Sequence, residues 1–253
     1  MKLASLSSTG FAAWLAANPR SAALVPVGST EPHGPHLPLA TDAIISAAAA
    51  ERAIALLSAR GVGALVCPEV PYGVTEFAAG FPGAVSVPRA ALVAFLRAVT
   101  EGLLGQGFTH VCLVNNHLEP AHDAAVREAV AGLGARASVA CPLTRRWART
   151  LGDEFRSGAC HAGRYETSIV MAASPELVDS ASAAGLPDVA ISLSDGIKAG
   201  QTSFRAMGMD DAYTGAPRAA SADEGEATLA LLAGMITAEV TEALGVAESA
   251  APA

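Results

Sequence analysis

Aromatic side chains make up only 5% of this 253-residue chain, and basic ones are outnumbered, with 16 Lys and Arg against 24 Asp and Glu. The formal charge is −8 and the sequence pI is near 5.2. No basic stripe is available to follow a phosphate backbone, and few rings are available to stack on bases. Nucleic acid is therefore not the expected partner. Cysteine is also scarce. Cys67, Cys112, Cys141 and Cys160 are scattered, without C-x-x-C spacing or the density of a disulfide framework. They read as small core residues in a reducing compartment. There is no run of about 18 apolar residues and no basic-then-apolar start, so neither a membrane span nor a signal peptide is expected. There is no internal repeat. The expected location is the cytoplasm.

What the chain has instead is core material: 51% of residues are hydrophobic and the mean hydropathy is +0.38. That excludes global disorder. The length allows one large domain or two small ones, and no Pro-, Gly- or Ser-rich linker divides the chain before Ser180. Strand and helix signals alternate. An opening helix near 10–17 precedes a strand at 22–27 and a helix at 42–58, which ends on Arg60 and Gly61. A strand at 63–66 and a long loop follow. Pro88 stands at a first-turn position of a helix reaching Leu104. The next strand, 109–114, ends in an unbroken apolar run and leads to a helix reaching about Leu133 and a strand at 137–140. Residues 185–218 read as irregular, and a Ser221/Glu224 capping box opens a last helix to Leu244. This β-α-β-α-β order predicts an α/β fold whose sheet is parallel or mostly so, with helices on both faces. Sites in such sheets gather at the carboxyl ends of the strands.

The first such end is the densest stretch of the chain: Gly28-Ser-Thr-Glu31-Pro-His33-Gly-Pro-His36-Leu-Pro-Leu-Ala-Thr41-Asp42. In an extended segment residues two apart share a side, so Glu31 and His33 can face one cavity while His36 leaves on another vector. Asp42 lies at a helix mouth, where a carboxylate is favoured. A lone loop histidine more often bonds the backbone than a metal; this density of ligands in a Pro/Gly-stiffened loop points the other way. His117-Leu-Glu119 repeats the alternate spacing after the 109–114 strand. His161-Ala-Gly-Arg-Tyr-Glu166 adds a third cluster, in which Gly163 allows a turn and Glu166 enters a helix running through Met171. Mixed carboxylate and imidazole ligands suit zinc, manganese or iron better than calcium or magnesium. Glu31, His33, Asp42, His117, Glu119, His161 and Glu166 suffice for two metals plus acid/base groups.

These three motifs, in this order, resemble the creatininase (creatinine amidohydrolase) family, with Phe81-Pro-Gly83 and Gly215-Ala-Pro extending the likeness over most of the chain. The resemblance implies a three-layer sandwich with a mostly parallel sheet, here as one domain over residues 1–246; residues 247–253, at the chain end, are expected to form a disordered tail. It also implies two divalent metals, zinc and/or manganese with iron as a further option, activating water against an amide or similar C–N bond. Glu31, Asp42 and His117 would hold one metal, and His33, Asp42 and Glu166 the other, with Asp42 bridging. Glu119 would ligate or shuttle a proton, and His161 would relay a proton to the leaving nitrogen. Homo-oligomers, often hexamers, are also implied, in keeping with Ala-rich helices that offer more apolar surface than a monomer needs.

The departures bear on substrate. Where creatinine-hydrolysing members place a tryptophan four residues before the catalytic histidine, this chain has Ser157. It reads Asn115-Asn-His-Leu-Glu-Pro120 where relatives often have Asn-Gly-His-Gly-Gly-Asn, and Glu76-Phe77 where a histidine often follows the glutamate. The expected substrate is thus a small amide other than creatinine. A peptidase-like relative trimming a short peptide and a non-catalytic metal-binding homologue are the alternatives.

Overall fold

Strand β1 (Ser21–Val27) is buried along its whole length, and its side chains divide by parity. Ala22 and Leu24 join one apolar cluster, while Ala23, Val25 and Val27 join another. Strand β3 (His110–Asn115) divides the same way, Cys112 and Val114 against Val111 and Leu113. A strand covered on both faces needs apolar residues on both, which is why Ala22–Val27 and Val111–Val114 read as unbroken runs. With β2 (Gly63–Val66) and β4 (Ala137–Ala140) they form one sheet in the order β2-β1-β3-β4, every pairing parallel. The computed structural model describes residues 1–246; the tail predicted for 247–253 lies outside them.

In chain order the helices are α1 (Ser8–Ala17), α2 (Thr41–Ser58), α3 (Arg89–Gly105), α4 (Pro120–Val130), the short α5 (Arg145–Ala148) and α6 (Asp153–Ser157), α7 (Arg164–Ala173), α8 (Ser180–Gly185), α9 (Leu193–Lys198) and α10 (Ala222–Ala243). Residues of α2, α7 and α10 pack on one face of the sheet, and those of α1, α3 and α4 on the other. The result is the expected three-layer α/β sandwich. The chain leaves β1 for β2 on one side and then crosses to β3 on the other. The carboxyl ends of β1 and β3, paired at Val27 and Asn115, therefore flank the switch point where such folds bind ligands.

Local departures have local causes. Thr109 stays outside β3 because its hydroxyl is engaged by Ser21, accepting from its N–H (2.9 Å) and donating to its carbonyl (2.6 Å). Helix α4 stops at Val130, three residues early, ahead of Gly132 in a left-handed conformation (φ 82°). Pro88 is the N-cap of α3 with ψ 136°, not a first-turn residue. Half of the capping box forms. Ser221 Oγ accepts from Glu224 N–H, but Ser221's own N–H donates to Ser168 Oγ (3.1 Å) and Glu224's carboxylate pairs with Arg164. The stretch predicted as irregular contains α9 and a small apolar cluster of its own, in which Phe204, Met207, Met209 and Ala212 meet Ala78, Phe77 and Phe81.

Candidate metal centre

The end of β1 can touch the first turn of α2 only because residue 28 is glycine. A Cβ there would lie 2.5 Å from Ala43 N. The contact sets Ser29 beside Asp42, whose Oδ2 accepts the serine hydroxyl at 2.6 Å. The intervening loop folds back on itself, with Glu31 N–H donating to Leu39 O (3.0 Å) and a bridge between His33 and Leu37. Glu31 and His33 thus turn inward toward Asp42. His36, leaving the other way, is buried against Thr167 Oγ1 at 2.8 Å.

Three overlapping groups of ligand atoms result, each within 4.8 Å of one another: Glu31 with Asp42 and His117, His33 with Asp42 and Glu166, and Glu31 with His33 and His161. Asp42 belongs to the first two, and its two oxygens divide the work. Oδ1 lies 3.2 Å from His33 Nε2, and Oδ2 lies 3.1 Å from His117 Nδ1. Glu166 Oε2 is 3.5 Å from His33 Nε2. All six side chains are buried.

The ring nitrogens facing away from the cluster are tied to backbone. His33 Nδ1–H donates to Glu31 O (3.1 Å), and His117 Nε2–H to Val74 O (2.8 Å). Each tie fixes the tautomer and leaves the inward nitrogen free to ligate, the support that metal-binding histidines usually have. Thr75 Oγ1 donates to Glu31 Oε2. His122 accepts from Val74 N–H at 3.2 Å and meets the His117 ring edge-on at 4.6 Å, so one peptide segment is held by both histidines.

Glu119, the N-cap of α4, stands apart from the three groups. Its oxygens each accept a backbone N–H, from Glu76 and Phe77 (3.1 Å each). His161 donates through Nε2 to Pro32 O (3.0 Å) and turns Nδ1 toward Glu31 Oε1, 3.9 Å away. Its ring lies between those of His33 (4.3 Å) and Phe204 (4.4 Å). The turn that carries it differs from expectation. The left-handed residue is Ala162 (φ 51°), whereas Gly163 is extended and is required for room, since a Cβ there would lie 2.5 Å from Thr214 O. Glu154 secures this turn by accepting from Tyr165 N–H and Ala216 N–H, both at 2.7 Å.

Burial disfavours every charge here, and the charges persist by facing one another. Against its burial, His33 is raised to about 10 by Asp42, Glu166 and Glu31, and His117 well above its ordinary value by Glu31 and Asp42. Glu31 is brought down to about 2, its own burial outweighed by His117. Burial and the neighbouring Asp42 carry Glu166 up to about 8. His161 is pushed down to about 4 by burial and by the charge on His33, so its ring is neutral and Nδ1 stands unprotonated, able to accept a proton. The metal-free cluster therefore holds protons on His33, His117 and Glu166, where divalent cations would compete for the same atoms. Buried carboxylates, together with imidazoles whose outward nitrogens are already engaged, make a donor set that fits zinc or manganese.

The cluster floors a cavity of about 230 Å³. Phe77, Leu118, Pro120, Leu143, Phe155, Leu193, Ile197 and Phe204 supply apolar walls, with Glu119, Cys160, Ser194 and Arg156 among the polar lining. Ser29, Val74, Thr75, His122, Glu154 and Phe204 were not foreseen from sequence. Ser29 was the nearest to being legible, since it lies in the first motif.

The sequence matches the creatinine amidohydrolase family over residues 4–240. The chain belongs to the creatininase family. Over 158 residues (60% of this chain, 58% of the relative) it is 37% identical to the mycofactocin precursor peptide peptidase of Mycolicibacterium smegmatis. Over 178 residues (62% and 65%) it is 28% identical to the creatinine amidohydrolase of Pseudomonas putida. These matches span less than two thirds of either relative's length. A manganese form of creatininase superposes with a TM-score of 0.71 at 22% identity, covering 95% of this chain and 97% of that one. A zinc–zinc form of a creatininase mutant gives 0.70 at 22%, covering 95% and 96%. At this identity the structures speak for the creatininase fold. Among the described residues, no helix is long and apolar enough to cross a membrane.

Proposed function

We propose that this protein is a hydrolase that uses two divalent cations, zinc or manganese, to cleave a C–N bond of a small amide other than creatinine. Glu31, Asp42 and His117 would hold one cation, and His33, Asp42 and Glu166 the other, with Asp42 shared. The observation that carries the reading is the overlap of these two buried groups at Asp42, on the floor of an apolar-walled cavity. Cations bound there supply Lewis-acid polarisation of a carbonyl and a lowered pKa for water.

The chain's own residues account for the rest. The apolar walls exclude bulk water and seat the substrate's body. Pro32 O fixes the His161 tautomer, so that Nδ1 is the atom that takes a proton and returns it to the leaving nitrogen. Glu119, aimed into the cavity by two N–H donors, orients the reacting group. In the net reaction the C–N bond breaks and a C–O bond to water forms. Both water protons end on the nitrogen, giving a carboxylate and an ammonium group.

A second reading, cleavage near the end of a short peptide, is favoured by the higher identity to a peptide peptidase than to a creatinine amidohydrolase. The cavity is slightly below the ~300–1,000 Å³ of drug-sized pockets, which suits one or two amino-acid-sized units. The test is to strip the protein with chelator, reload it with zinc or manganese, and measure metal content and hydrolysis across cyclic amides, N-acyl amino acids and short peptides. About two ions per chain and metal-dependent turnover are expected. A folded protein that takes up no metal would end the proposal.

A further inference from the structure

We propose that Arg156 is a specificity residue that selects substrates bearing a free carboxylate away from the scissile bond, so that the preferred class is N-acyl amino acids and carboxyl-terminal peptide ends. This rests on the hydrolase reading above. Apart from the floor, the cavity walls are mostly apolar side chains such as Phe77, Leu118, Leu193 and Phe204, with Glu119, Cys160 and Ser194 as polar exceptions, and among the residues that line it Arg156 is the only Lys or Arg. An apolar body with one anionic group is the ligand that such a wall complements.

The helix that carries Arg156 is held in place by the chain around it. Helix α6 ends at Gly158, left-handed at φ 86°, where a Cβ would fall 2.5 Å from Ser192 Oγ and 2.7 Å from Ser194 Oγ. Gly158 O accepts Leu193 N–H at 2.9 Å. The end of α6 is therefore seated on the segment that contributes Leu193 and Ser194 to the same wall. Phe155, beside Arg156, is anchored on Tyr165 at 4.9 Å. Nη1 donates to Leu151 O (3.1 Å), and Nη2 pairs with Asp153. Asp153 is 86% exposed and the arginine side chain 49%. A pair so exposed is a weak competitor, and a substrate carboxylate in the drier cavity can take over the planar donor face that suits it.

The test uses the full chain loaded with manganese. Binding of N-acetyl-L-phenylalanine and of its neutral carboxamide is measured by calorimetry, and their hydrolysis alongside, for wild type, Arg156→Gln and Arg156→Lys. The acid should bind wild type at least about tenfold more tightly than the amide, as one charge-assisted hydrogen bond implies. That preference should disappear in Arg156→Gln and partly return in Arg156→Lys, with metal content unchanged in all three. Equal binding of acid and amide to wild type would overturn the proposal, as would no binding of either at millimolar concentration. So would an acid preference that survives Arg156→Gln, because the carboxylate would then be read by the cations. An Arg156-dependent preference without turnover would leave the anchor standing and count against the hydrolase reading.

Discussion

The floor and the roof of the cavity are built on different terms. Glu31, His33, Asp42 and His117 follow the ends of β1 and β3 or open α2, and every one is buried and tied to a neighbouring strand end or loop. The roof, from Phe77 and Phe204 in loops and Leu193 and Ile197 on the short α9, has a small apolar cluster separate from the two that sandwich the sheet. The floor's geometry is set by the sheet and by the helix packed against its carboxyl ends. The roof can change residue by residue without disturbing the fold, which is where substrate choice has room to vary.

If that division holds, floor variants should lose metal and rate while roof variants change affinity and keep both. The largest effect is expected at the shared ligand. Asp42→Ala should empty both cation positions and lower turnover about a thousandfold or more, whereas His33→Ala should spare one ion. Equal metal losses by elemental analysis would mean that Asp42 is not shared. Next comes His161→Ala, which should keep both ions and lose about a hundredfold in rate, the usual worth of a general acid/base. Loss of an ion in this variant would move His161 into the ligand set, an option open to it through its group with Glu31 and His33.

The pH dependence sharpens the contrast without mutation. His33 and Glu166 are raised to about 10 and about 8, above unfolded values near 6.5 and 4.3. Both bind protons more tightly when folded. Their stabilisation is complete below the unfolded values and is lost as pH rises through 8 and 10. Metal-free protein should therefore melt at a lower temperature at pH 9 than at pH 7. Cations compete for the same atoms, so metal affinity should rise over that window, by about tenfold per pH unit for each proton released. Scanning calorimetry with and without zinc separates the two slopes; parallel slopes would refute proton–metal competition. The smallest effect belongs to the roof. Phe204→Ala removes the ring stacked on His161 and should raise KM less than about tenfold, with metal content unchanged and a lower melting temperature from the cavity left among Ala78, Met207 and Met209.

The same division explains what could be read from sequence. β1 and β3 were legible because burial on both faces demands apolar residues on both, and the first motif because its ligands crowd into one loop stiffened by Gly34, Pro35 and Pro38. The supports were not legible. Val74 acts through its peptide group, Thr75 reaches Glu31 across 44 residues of sequence, and Glu154 binds two N–H groups that any residue could supply. The turn before α7 was assigned to Gly163 because glycine adopts positive φ most readily. Here that glycine is needed for close approach, and Ala162 takes the left-handed conformation. The roof has no period to detect.

Glu154 also bears on the order in which the molecule can be completed. Its carboxylate joins the turn before α7 to Ala216. Five residues later Ser221 N–H reaches Ser168, and Gly225 lies against Ser168's carbonyl, where a Cβ would come within 1.9 Å. Glu166 is thus held from a part of the chain synthesised some fifty residues after it. A nascent chain ending before residue 216 has the β1 and β3 sides of the cluster but lacks what secures the third. The third side of the site is complete only with the segment from Ala216 into α10 in place.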